Sequence, residues 1–438
     1  MKLKKLAILA AFVCGMNAAN ARENDSVFRA AAEGNSQPYR QVAPVGFCGG
    51  CEQSTCDCET ACDESDACDA QAAEVAEACK LCKNPVFGIA VGGWTNMAYH
   101  SSNNTGAGIL GGGPTGGAPA NFNNYADHLQ LQQQWLYAQR IADGSKGLGI
   151  GGRIDYLYGT DGPDTQSFGR ADSTWDNSWD NGGAYGHAIP QLYGEAAYGK
   201  LSVKVGHFYT IIGNEVVQAT GNFFYSRQFT FYNAEPFTHT GALTTYALSN
   251  NTTLYNGWVS GWDSGFAKNG SAYIGGIKHQ FSDNFSALYT TALGRFNDDP
   301  NSVNVGERGQ VHCMIFTTKM AEKLTNLVQI DYLDTTDANG LTVRNTFGMN
   351  NYFIYQISDK ISLGSRQEWF NWTTGPNVPV PYHNNDLYNI TYGINYKATS
   401  NLIFRPELRT IWDSNNTGVN ENFAGSKTIY GMDAILTF

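Results

Sequence analysis

The sequence predicts an all-β fold, a transmembrane antiparallel up-and-down β-barrel of about 16 strands behind a small Cys-rich N-terminal segment. Three observations carry that expectation. Over the final residues Tyr430, Met432, Ala434, Leu436 and Phe438 are apolar and alternate with Gly431, Asp433 and Thr437, with Ile435 the exception. Period two of this kind is a strand, and a strand ending on an aromatic suits a barrel whose last strand closes on its first. From Val86 onward, short turns alternate with long polar loops. Finally, beyond the first 21 residues no stretch approaches the roughly 18 to 20 apolar residues of a membrane helix. With hydrophobic content at 42%, membrane contact has to be made by strands.

The front of the chain reads as three stages. Lys2, Lys4 and Lys5, the apolar run Leu6 to Val13 and Ala19-Asn20-Ala21 make residues 1–21 a secretory signal peptide. A lipid anchor on Cys14 is the weaker reading, since Val13 is bulky where a small residue is usual. Residues 22–85 form an acidic, Cys-rich segment, and 86–438 the barrel. In that segment Cys48, Cys51, Cys56, Cys58, Cys62, Cys68, Cys79 and Cys82 crowd together among Asp and Glu. Two C-x-x-C spacings suit a zinc knuckle or a tight disulfide framework, and export into an oxidising compartment favours disulfides. Eight cysteines allow 105 pairings, so the connectivity stays open. Ala72 to Lys80 suits one short helix.

Sixteen segments carry strand character: 86–100, 125–142, 147–160, 190–198, 201–211, 238–249, 253–262, 271–281, 284–294, 309–319, 324–334, 342–357, 360–373, 386–397, 401–412 and 427–438. In Leu148 to Tyr158 the even positions are apolar and Arg153 and Asp155 point the other way. Tyr388 to Tyr396 repeats the pattern, with Asn389, Thr391, Gly393 and Asn395 opposite the apolar set. Arg405, Glu407 and Arg409 share one face opposite Leu402, Phe404, Leu408 and Trp412. Three neighbouring charges do not fit a dry sandwich core. The sixth and seventh segments are the least regular, because Leu254, Tyr255, Trp258 and Val259 follow neither phase. Short turns fall at 143–146, 199–200, 250–251, 282–283, 321–323, 358–359 and 398–400, and long loops include 101–124, 161–189, 212–237, 295–308, 374–385 and 413–426. A sandwich has no reason to sort its loops in this way, whereas an outer-membrane barrel does. A two-residue turn at Gly199-Lys200 sets Tyr198 against Leu201, Ala196 against Val203 and Glu195 against Lys204. Aromatics near segment ends, including Tyr156, Phe281, Tyr396 and Trp412, suit interfacial girdles.

Chemistry is sparse. The formal charge of -11 argues against a nucleic-acid partner. Gly111 to Gly116 fits G-x-G-x-x-G but contains Pro114 and opens no helix, so it reads as an external loop. No catalytic or firm metal constellation emerges and no cofactor is expected. Asp172, Asp176 and Asp180, with Asn177 and Asn181, read as a solvated loop rather than a calcium site. The expected lumen wall is His128, Arg153, Asp155, Glu195, Lys204, Lys278, Arg344, Arg366, Glu368, Arg405, Glu407 and Arg409, with His128 sharing a face with Gln130, Gln132 and Gln134. The loop Ile212 to Phe237 combines Glu215, Arg227 and Glu235 with Phe223, Phe224, Tyr225, Phe229, Phe231 and Tyr232. So aromatic a loop is expected to fold into the barrel as a constriction, its charges facing charges on the wall.

At this loop the chain also resembles a known family. Gly206-His207-Phe208-Tyr209-Thr210-Ile211-Ile212-Gly213-Asn214-Glu215, Asn222-Phe223-Phe224-Tyr225-Ser226-Arg227, Glu235 to Ala242 and Tyr255 to Asp263 are similar to the OmpL-like β-barrel porins of the second such family. The resemblance runs from about Val86 to Phe438, excludes the Cys-rich segment and implies an outer-membrane porin. The expectation is a non-enzymatic, water-filled channel in the outer membrane of a Gram-negative-type bacterium, passing small hydrophilic solutes and ions. By analogy with porins of this size it is a homotrimer. The alternative is a structural envelope barrel, anchored to the cell wall or cross-linked between chains through residues 22–85.

Overall fold

The computed structural model describes residues 88–101, 122, 125–167, 175–176, 184–266, 270–297, 306–374, 385–413 and 426–438. Residues 1–21, expected to be a signal peptide, the eight clustered cysteines and Gly111 to Gly116 lie outside them. Sixteen strands follow in order: β1 (Ala90–His100), β2 (Gln130–Arg140), β3 (Leu148–Gly159), β4 (Gly186–Tyr198), β5 (Leu201–Tyr209), β6 (Thr238–Ala247), β7 (Thr252–Val259) and β8 (Ser271–Ser282). The second half is β9 (Phe285–Arg295), β10 (Arg308–Ala321), β11 (Leu324–Thr336), β12 (Thr342–Gln356), β13 (Ile361–Thr374), β14 (Asn385–Lys397), β15 (Leu402–Asp413) and β16 (Ser426–Thr437). Each strand pairs with its sequence neighbours, and β1 pairs antiparallel with β16, so the sheet closes. Closure satisfies every edge, the condition for strands to cross hydrocarbon.

Alternation sorts each strand into two faces. On β3, Leu148 and Ile150 are 69% and 63% exposed while Asp155 is fully buried. Tyr392 and Ile394 on β14 are exposed, and Asn389 and Thr391 are buried. The exposed set is the outer wall and the buried set faces inward, apolar-out and polar-in as a membrane barrel requires. Ile435, which breaks the terminal pattern, is one of the inward residues and packs in a cluster with Trp94, Trp135, Leu157 and Val217. The hairpin at Gly199-Lys200 has the expected register, Tyr198 to Leu201 and Glu195 to Lys204, with Gly199 at φ +56°.

Two local readings are corrected. β7 keeps a single phase: Tyr255 and Val259 are buried inside while Trp258 is exposed outside. The pattern looked broken because both faces are apolar there, the inner one packing in a cluster with Phe208, Ile212, Phe224 and Phe229. The strand expected from residue 125 starts at Gln130, and His128 lies in the turn before it, exposed, with Nδ1 2.6 Å from the Ala126 carbonyl. His128 is therefore not on the wall. A bulge at Gln132, opposite Asn96 and Met97, then shifts the phase of β2. Gln133 ends up reaching the interior and Gln134 bonds outward Thr95.

Candidate functional site

The chain between β5 and β6 lies inside the barrel. It carries a 3-10 turn (Ala219–Gly221) and one short helix, α2 (Phe229–Asn233), the helix α1 (Gly162–Thr165) being in the preceding long loop. An irregular segment buried in this way has backbone donors and acceptors that need partners. The inner-wall charges supply them. Glu407 accepts the Ser226 N–H at 3.1 Å and Glu368 the Phe229 N–H at 2.7 Å. Arg405 donates to the carbonyls of Ala219 and Asn222, at 2.8 and 2.5 Å. Gln133 serves both senses, donating to Val217 O and accepting from Ala219 N, and Gln329 accepts from Asn214 N.

Arg366 is the centre of this attachment and is fully buried. Its guanidinium bonds Glu368 and Glu215, both at 2.7 Å, the Ser226 carbonyl at 2.8 Å, Ser226 Oγ at 3.0 Å and the Arg227 carbonyl at 3.3 Å. Glu215 also accepts the Gln228 N–H and lies 3.0 Å from the Tyr352 hydroxyl. Arg405 makes a two-pronged pair with Asp433, which Asn96 also donates to. Arg409 lies 3.9 Å from Glu368, its guanidinium over the Phe229 ring at 5.0 Å.

Apolar fit complements the polar clamps. Gly364, Gly393 and Gly431 lie in one register row across β13, β14, β15 and β16, with Glu407 between the last two. A Cβ at Gly364 would meet the Phe223 ring at 2.2 Å, at Gly393 the Phe224 ring at 3.0 Å and at Gly431 the Tyr225 ring at 2.8 Å. On β12 a Cβ at Gly348 would lie 2.0 Å from Thr230 Cγ2. Consecutive aromatics thus occupy slots left by missing side chains, the close approach that a glycine inside a strand permits. The sequence placed Gly393 and Gly431 opposite the apolar residues of their strands but did not show the role of these glycines as slots, for which that phase is a usable signal.

The other predicted residues divide into three groups. Arg153 pairs with Asp155, which also accepts from Trp135 and Gln191, so this pair is held by the wall itself. Lys204 sits opposite Glu195 and over the Tyr193 ring at 4.7 Å. Lys278 and Glu195 are half-buried, and Arg344 pairs with Glu307 at 2.8 Å and covers Trp262. In the inner segment, Glu215 does face a wall charge. Arg227 instead donates to the segment's own Val217 carbonyl, and Glu235 accepts from the amides of Gln228 and Gln329. Asp176 accepts backbone N–H groups from Ser167 and Ile189, a structural use of its carboxylate. Asp172 and Asp180 lie outside the described residues. Among the described residues no group of three or more metal-ligating side chains comes together.

A closed 16-stranded wall, apolar outside, with an interior segment clamped by buried charges, defines a porin-type outer-membrane barrel. The chain belongs to the beta-barrel porin-2, OmpL-like family, whose model matches residues 88–438. It is an outer-membrane porin. Among solved structures it is similar to in-vitro folded OmpT, an outer membrane protein of Vibrio cholerae in trimer form, at 10% identity and TM-score 0.52, over 80% of this chain and 99% of that one. The outer membrane channel DcaP of Acinetobacter baumannii is similar at 11% identity and TM-score 0.53, over 81% and 99%. Salmonella typhi OmpF in complex with daunomycin matches at 12% and 0.51, over 80% and 97%. At such identities the likeness is one of fold. No curated protein sequence matches the chain.

Proposed function

We propose that the barrel is a narrow passive-diffusion channel for small hydrophilic solutes and ions, assembled as a homotrimer, with the segment between β5 and β6 as its constriction. The observation that carries this reading is an aromatic-rich segment held across the lumen by wall charges that bond its backbone. Glu195, Lys278 and Arg344, the partly exposed members of the inner wall, are the groups that passing ions meet; Arg366, Glu368, Arg405, Glu407 and Arg409 shape the lumen by holding what lies inside it, and Arg153, Asp155 and Lys204 by pairing and packing within the wall. Glu215, Arg227 and Glu235 belong to the constriction itself. DcaP is an outer membrane channel and the in-vitro folded OmpT a trimer, which supports both halves of the reading. Residues 1–21 direct export, and residues 22–85 form a disulfide-bonded arm. No enzymatic step and no cofactor enter.

The test is planar-bilayer conductance of the full chain. Steady current steps whose reversal potential moves towards cation selectivity in Lys278→Glu are expected; an unmoved potential refutes the wall assignment. Arg366, Arg405 and Arg409 are at most 3% exposed, so the wall is dry at their level. That dryness favours a second reading, the structural barrel whose cysteine-rich arm contacts the cell wall or other chains. A folded barrel that never conducts would put that reading in the lead, and cysteine-dependent oligomers lost on deleting residues 22–85 would support it.

A further inference from the structure

We propose that the outer wall over β11, β12 and β13 turns towards the axis of the homo-oligomer and docks other copies of this chain inside the membrane. An amide network crosses these strands on their outer face. Asn326 Nδ2 donates to Asn351 Oδ1 at 2.7 Å, Asn351 Nδ2 to Gln367 Oε1 at 3.1 Å and Gln367 Nε2 to Ser365 Oγ at 2.9 Å. The register leaves no doubt about the face. Asn351 is level with Val328 and Gln367, and it alternates with Asn350, which reaches in to Thr230 of the interior segment.

The depth of the network decides its meaning. On the outer face of β12, Phe347 packs on Trp369 at one end and Tyr355 is exposed at the other. Asn351 is four residues from each, roughly 13 Å along the strand. A barrel's apolar band is about 25 Å tall, so Asn351 lies near its middle. Near the middle of β14, β15 and β16 the outer face carries Tyr392, Ile394, Leu408 and Met432, all exposed and none of them bearing an amide or a charge. Lipid chains offer no hydrogen bonds, and a wall built only to meet them has no use for four linked polar side chains.

The occupant follows from the chemistry of the patch. After the three bonds above, Asn351 and Gln367 each keep an amide N–H and an oxygen lone pair. Donors and acceptors occur together and no charge is present among the four, so the patch is complementary to itself rather than to a charged partner. Around a closed symmetry axis the same patch of each copy meets its equivalents. This deepens the oligomer reading and does not depend on conduction, so a failure here and a failure to conduct are separate results.

The experiment uses the full chain purified from outer membranes. Native mass is measured for the wild type and for the double variant Asn351→Leu, Gln367→Leu, with heat-modifiable gel mobility reporting the intact barrel. A photo-crosslinking amino acid is placed at position 351 and, as a lipid-facing control, at position 394. The expected result is a wild-type oligomer, at least tenfold weaker association in the folded double variant, and crosslinks between copies from 351 but not from 394. A monomeric wild type, an oligomer unchanged in the double variant, or crosslinks from 351 only to lipid or to a different protein would overturn the proposal. Should the double variant fail to fold, the crosslinks in the otherwise native chain decide.

Discussion

Replacing Arg366 with Met removes the strongest attachment of the interior segment while keeping a side chain of similar length. Four of its hydrogen bonds go to that segment: one to Glu215, two to Ser226 and one to the Arg227 carbonyl. The remaining ones go to Glu368 and Thr391 of the wall. Loss of one partner from a buried pair costs about 3 to 5 kcal/mol, because the other charge is left desolvated. Here Glu215 and Glu368 are both left, although Glu368 keeps the Phe229 N–H and Glu215 the Gln228 N–H. Taking about 3 kcal/mol as the share that falls on the segment, its detached population rises by roughly two orders of magnitude. The wall's own ladder is untouched, so the barrel remains heat-modifiable. Single-channel recording should then show larger or noisier steps than the wild type, and limited proteolysis should cut within 212–237. Adding Glu215→Gln should restore part of the wild-type behaviour by removing one stranded charge. Wild-type current with a fully protected segment would refute the idea that Arg366 holds it.

Gly364→Val should act on the same segment by steric means. The new side chain meets the Phe223 ring, costs about 1 to 3 kcal/mol of overpacking and raises conductance without unfolding the barrel, which bilayer recording checks. Ile394→Arg puts a charge on the lipid face and should destabilise folding into bilayers by about 2 to 4 kcal/mol if the position is near the midplane; equal stability in a urea titration would contradict the outer-wall assignment. Arg405→Glu should not behave as a simple selectivity variant. It unpairs Asp433 and strips two carbonyls of their donor, so lost or unstable current is expected in place of a clean shift in reversal potential. Asp263, in the loop after β7, is pushed up to about 7 by burial, and its Oδ1 accepts the backbone N–H groups of Phe237 and Thr238. A raised acid stabilises the fold fully below its unfolded value of 3.8 and loses that contribution as the pH rises through about 7. Asp263→Asn keeps an acceptor oxygen without the charge, so its melting temperature should exceed the wild type's at pH 8 and approach it near pH 4.

The barrel was legible because each strand states its own face. Leu148, Ile150 and Ile154 against Arg153 and Asp155 is a local pattern, and sixteen such patterns joined by alternately short and long connections leave few architectures. The destination of 212–237 was also legible, since its aromatics demand burial. What its charges do was not. Arg366 and Glu215 are 151 positions apart, and nothing in either neighbourhood announces the other. Glycines 364, 393 and 431 look like ordinary loose points in strands until the register sets them in a row beneath Phe223, Phe224 and Tyr225.

The same separation explains the errors. His128 was placed on the wall by extending an alternation past the true start of β2, and Gln134 by carrying a phase through a bulge at Gln132 in β2 itself. Wall charges were expected to face water because polar-in alternation usually means a wet lumen. Alternation fixes only which way a side chain points, by the geometry of one strand. What occupies the space it points into depends on a segment arriving from another part of the chain, and that packing exists only once the barrel has closed.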